Sequence, residues 1–77
     1  NDYSGAINSY NEFLKEYPNN LEGLSSIANI YLEQKDYDNA MKYYNEYLKV
    51  GKQGSAIWKF VEAEMAFIKE EQFMQER

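Results

Sequence analysis

A match of the chain to itself at an offset of 34 residues constrains its fold more than any other feature. Residues 2–15 (DYSGAINSYNEFLK) laid on residues 36–49 (DYDNAMKYYNEYLK) share Asp2/Asp36, Tyr3/Tyr37, Ala6/Ala40, Tyr10/Tyr44, Asn11/Asn45, Glu12/Glu46, Leu14/Leu48 and Lys15/Lys49. Two further pairs, Ile7/Met41 and Phe13/Tyr47, preserve character. Chance would supply about one identity over such a stretch of ordinary composition. A period of this size marks supersecondary units that stack on copies of themselves. Such stacks usually present an extended surface to something else.

The hydrophobic spacing says what the units are. Ala6, Tyr10, Phe13, Leu14 and Tyr17 recur at steps of three and four, which predicts a helix from about Asp2 to Tyr17. Pro18-Asn19-Asn20 ends it, because proline cannot continue a helix and asparagine favours turns and caps. A second helix is expected over Leu21–Gln34, with Leu24, Ile27, Ala28 and Tyr31 on one face. Lys35-Asp36 is a tight connection in which Asp36 caps a third helix, Tyr37–Val50, whose inward residues are Tyr37, Ala40, Met41, Tyr44 and Leu48. Gly51 stops that helix, and Gly54-Ser55 supplies a turn and the cap of a longer last helix, Ala56–Gln75. No strand pattern competes. Short loops then force consecutive helices to lie antiparallel, so the expected class is all-α.

Composition removes several function classes. Eight basic residues are scattered among thirteen acidic ones for a net charge of −5, which disfavours nucleic acid and acidic membrane surfaces as partners. The chain has no Cys and no His, so disulfides, thiol nucleophiles, the commonest metal ligands and the usual general base are all missing. That leaves the compartment open. No apolar run approaches the roughly 20 residues of a membrane span, so no membrane insertion is expected. At 77 residues the chain buries only about 60% of its unfolded surface, yet 44% apolar content is ample for folding. It starts at Asn1, almost on top of a repeat motif, and is expected to be an excised piece of a longer protein.

Carboxylates are the remaining route to chemistry. The available pairs are Glu62/Glu64, Glu70/Glu71 and Asp36/Asp38. Helical neighbours one or two apart do not face each other, so the first two pairs make poor sites. No calcium-loop spacing or glycine-rich phosphate cradle is present. A solvated acidic face explains these residues, and no catalytic residue, metal or cofactor is expected.

The whole pattern resembles the tetratricopeptide repeat, whose signature is W-x2-L-G-x2-Y, then A-x3-F, then P. Within residues 21–54, Leu24 stands at the Trp place, Ile27-Ala28 at Leu-Gly, and Tyr31 at Tyr. Ala40 and Tyr44 supply the A-x3-F step, which Ala6 and Tyr10 repeat ahead of Pro18. The last helix opens with Trp58, Val61 and Met65 at the first three apolar places. The chain departs from the pattern at Lys52 for proline, at Phe13 and Tyr47 where small residues are usual, and at Glu62. Glu62 suggests that the last helix is a cap. The resemblance implies a stack of antiparallel helical hairpins: residues 1–20 as the second helix of a truncated repeat, 21–54 as one complete repeat, and 55–77 as a capping helix or the first helix of a further repeat.

It also implies a function, the binding of a peptide or partner-protein segment on the concave face. That face is expected to carry Glu22, Ser25, Asn29, Leu32 and Glu33, with Lys59, Ala63, Ala66 and Phe67 in the last helix. One subclass clamps carboxylates with paired Lys and Asn; Asn29 matches, but Ser25 replaces the Lys, so a clamp is not expected. The alternative function is self-assembly. In the last helix one stripe (Ile57, Trp58, Val61, Met65, Ile68) adjoins a second (Phe60, Ala63, Phe67, Met74) in an apolar arc of roughly 220° at 100° per residue. That exceeds what one neighbouring helix can cover, so Phe60, Ala63, Phe67 and Met74 are the expected oligomer or partner interface. The first helix, near Tyr3, Ile7 and Tyr10, also lacks the cover a preceding helix would give. A homo-oligomer is therefore expected.

Overall fold

Each helix begins at a short polar side chain that accepts a hydrogen bond from the backbone three residues on. In this computed structural model, which describes residues 2–75, Asp2 Oδ1 accepts from the Gly5 N–H at 2.9 Å and Asn20 Oδ1 from Gly23 at 2.8 Å. Asp36 Oδ1 accepts from Asn39 and Ser55 Oγ from Trp58, both at 3.3 Å. These caps satisfy backbone donors that have no partner inside the helix. They launch α1 (Tyr3–Glu16), α2 (Leu21–Glu33), α3 (Tyr37–Val50) and α4 (Ala56–Gln75). Asn1, Glu76 and Arg77, at the outer ends of the first and third expected units, lie outside the described residues.

The helices stack in chain order as antiparallel pairs. Contact is most extensive between α2 and α3, and the outer helices add one layer on each side. The result is a flat slab of 39 × 32 × 16 Å. Its core comprises Leu14 from α1, Leu24, Ile27 and Ala28 from α2, Tyr37, Ala40, Tyr44 and Tyr47 from α3, and Val61, Met65 and Ile68 from α4. Ala28 and Ala40 are completely buried, and their small side chains leave room for neighbouring backbones to come close.

The repeat shows how much burial depends on neighbours. Tyr3, Ala6 and Tyr10 are half-buried on the outer helix, whereas Tyr37, Ala40 and Tyr44, their partners at offset 34, are buried on α3. The same letters, flanked on both sides, lose more water.

Three inward assignments are corrected. Phe13 and Tyr17, placed on the inner face of α1 by their spacing, are 40% and 55% exposed and contact each other at 5.1 Å between ring centroids. Ile57, assigned to the sealing stripe of α4, is 58% exposed, while the rest of that stripe, Trp58, Val61, Met65 and Ile68, faces the core as expected. Met41 and Leu48, expected to turn inward, are half-buried and pack against the core, and Tyr47 is buried beside them.

Besides an exposed bond from Gln72 Nε2 to Asp38 Oδ1, two partly buried side-chain hydrogen bonds tie the outer helices to α3. The Trp58 indole Nε1 donates to the Leu48 carbonyl at 3.1 Å, and this carbonyl is in the last turn of α3, where no intrahelical donor reaches it. The Tyr43 hydroxyl donates to Asn11 Oδ1 at 3.3 Å, joining α3 to α1, and the Tyr43 ring stacks on Tyr31 at 5.8 Å. Gly51 is needed for space rather than for its own torsion: a Cβ there would lie 2.9 Å from the Tyr47 carbonyl oxygen. Gly54, with φ of +85°, makes the left-handed turn into α4.

Candidate interaction surface

Two adjacent serines in the middle of α2 mark the site. Serine competes with the backbone for hydrogen bonds inside a helix, so a pair at consecutive positions is not there for helix stability. Ser25 Oγ donates back to the Glu22 carbonyl at 3.2 Å. With Asn29, one turn on, these residues line one wall of a groove. Ile57 and Phe60 of α4 line the other, and the buried Tyr44 and Val61 form its floor. The groove thus has a polar wall, an aromatic-aliphatic wall and a tyrosine at its base.

Of the residues expected at an interaction surface, the structure places Ser25, Asn29 and Phe60 in this groove. Glu22 lines a separate hollow with Tyr10 and Phe13 of α1. Leu32 is half-buried against the core, and Glu33 and Lys59 are exposed outside the groove lining. Beyond Phe60 (59% exposed), Ala63, Phe67 (50%) and Met74 (63%) continue along α4 as an exposed line. Phe60, Phe67 and Met74 are seven residues apart, so they stay on one side of the helix over two heptads.

Sequence reasoning assigned Tyr44 to the core alone, put Ile57 in the inner stripe of α4 and gave Ser26 no role, whereas all three line the groove. The serine pair was a legible signal. The others depend on how far α4 stands from α2, which no spacing within one helix reports.

Electrostatics singles out two tyrosines. Burial, reinforced by the negative charge of Glu64, pushes the Tyr44 phenol up to about 12. Tyr31 is also raised, first by burial and then by Tyr43 and Asp36. Both remain neutral hydroxyls at ordinary pH, able to donate one hydrogen bond and accept others. Among the described residues no group of three or more His, Cys, Asp or Glu could hold a metal ion, and Asp36 and Asp38 serve as a helix cap and as the acceptor of Gln72 Nε2. No helix among them is long and apolar enough to cross a membrane.

Compared with known proteins, residues 1–63 match the family model of the tetratricopeptide repeat. No curated protein and no solved structure matches the chain. The matched span contains all of α1, α2 and α3 and the part of α4 that walls the groove.

Proposed function

Because the chain belongs to the tetratricopeptide repeat family, whose members generally mediate protein–protein interactions, we propose that it is a non-catalytic binding module holding a partner-protein segment in the groove between α2 and α4. The observation that carries this reading is the convergence of Ser25, Ser26 and Asn29 with Ile57 and Phe60 on either side of Tyr44. A polar wall facing an aromatic one suits an extended peptide, whose backbone needs hydrogen-bond partners and whose side chains need apolar contact. Residues 21–54 act as the complete repeat in this scheme, with α1 and α4 as flanking helices.

A displayed library of random twelve-residue peptides, panned on the full chain, tests the reading. Binders are expected, and Asn29→Trp should abolish their binding while leaving the circular dichroism spectrum unchanged, since Asn29 is exposed. Binders indifferent to Asn29→Trp would sink it.

A second reading, self-association through α4, is favoured by the exposed line of Phe60, Phe67 and Met74. Light scattering should then give a mass that rises with concentration above 9.1 kDa and returns to 9.1 kDa with Phe67→Glu and Met74→Glu combined. A wild-type mass that stays at 9.1 kDa would remove this reading.

A further inference from the structure

Beyond the groove, α4 carries a second surface. Phe60, Phe67 and Met74 are each at least half exposed, and their spacing of seven keeps them in one line, turned away from the buried Val61, Met65 and Ile68. At 1.5 Å per residue the line runs about 21 Å in steps of about 10.5 Å. An extended strand offers same-facing side chains about 6.6 or 13.2 Å apart, so its steps miss the line. The heptad of a second helix repeats it. Only Phe60 is shared with the groove lining.

The charges beside the line decide what kind of helix fits. At 100° per residue, Glu64, Glu70 and Glu71 fall within about 60° of the line's mean direction, whereas Lys59 is about 80° and Lys69 about 160° away. Glu70 is exposed, Glu64 and Glu71 are half-buried, and none of the three makes an ion pair among the described residues. These acids penalise a second copy of the chain. The two registers that superpose the whole line on itself set glutamate against glutamate: parallel, each meets its own copy, and antiparallel about Phe67, Glu64 meets Glu70. Like charges brought together across an interface select against that partner, and opposite charges select for it.

We propose that the Phe60–Phe67–Met74 line is the docking site for a basic amphipathic helix of another protein. Its apolar heptad stripe lies against the line, and its lysines or arginines lie beside Glu64, Glu70 and Glu71. The apolar stripe supplies most of the affinity, while the charges set the choice of partner and speed the encounter, which the chain's net charge of −5 also favours. The line and the groove are distinct surfaces, so this inference goes beyond the groove reading and can fail without it.

A displayed library of three-heptad helices tests it, with apolar residues fixed along one stripe and Lys, Glu or Gln allowed at the positions flanking that stripe. Panned on the full chain, it should yield helices with Lys-rich flanks that tolerate Asn29→Trp, which blocks the groove, and are lost with Phe67→Glu. Synthesised and titrated by fluorescence anisotropy, they should bind roughly tenfold more weakly to the variant combining Glu70→Lys and Glu71→Lys, and more weakly at raised salt. Panning on that charge-reversed variant should select Glu-rich flanks instead. None of the substituted residues belongs to the buried core, so folding is not at stake. Selected flanks without charge preference, or an affinity unchanged by the charge reversal, would overturn the basic partner. Helices lost with Asn29→Trp but kept with Phe67→Glu belong to the groove, which overturns this inference and leaves the groove reading standing. If no helix is selected the proposal falls, and a mass above 9.1 kDa that Phe67→Glu lowers would assign the line to a second copy.

Discussion

Lys35 occupies a backbone conformation that suits glycine. Its φ is 62°, in the left-handed region that costs an L-residue about 1–2 kcal/mol. The chain tolerates it because the turn satisfies the end of α2: the Lys35 N–H donates to the Leu32 carbonyl and the Asp36 N–H to the Tyr31 carbonyl, both at 2.9 Å. Lys35→Gly is therefore expected to raise stability by about 1 kcal/mol, seen as a thermal midpoint about 5 °C higher. Lys35→Ala keeps the Cβ and should leave the midpoint nearly unchanged. Equal midpoints for Gly and wild type would show that the turn carries no strain. The sequence announces a tight connection at this point, but a lysine gives no sign of a left-handed turn. Tyr47 is opaque for a similar reason: it shares its place in the repeat with Phe13, yet one ring is buried and the other 40% exposed.

Helix boundaries were far more legible, because caps are local. Asp36 and Ser55 identify their helices from a few residues of context, and all four observed helices agree with expectation to within a residue at either end. The facing of α4 was legible for most of its length: Val61, Met65 and Ile68 are buried and Phe60, Phe67 and Met74 exposed, as expected. The choice of inner stripe is the expected one, and Ile57 alone departs from it, turning into the groove wall. Trp58 secures the choice by donating to the exposed end of α3, so Trp58→Phe, which keeps an aromatic ring but no donor, should cost about 1–2 kcal/mol. Urea unfolding followed by circular dichroism measures it. A midpoint unchanged from wild type would mean that water replaces the indole at no loss.

At the scale of the whole molecule, neighbour-only stacking predicts uneven stability. The α2–α3 pair is covered on both sides, whereas α1 and α4 each have an open outer face. Native-state hydrogen exchange should find the slowest amides near Ile27, Ala28, Ala40 and Tyr44, with α1 and the second half of α4 opening at lower free energy. Uniform protection across the four helices would contradict this gradient. The groove straddles the boundary, with one wall on the stable pair and the other on α4, so a segment bound there should slow exchange in α4 most. The offset of 34 residues also has an ancestral meaning. Since each helix is held mainly by the helices next to it in the chain, a duplicated stretch of gene can enter this array without disturbing any interior but its own, provided its two outer faces match. Lineages could lengthen or shorten such a protein one unit at a time and inherit a working intermediate at every step.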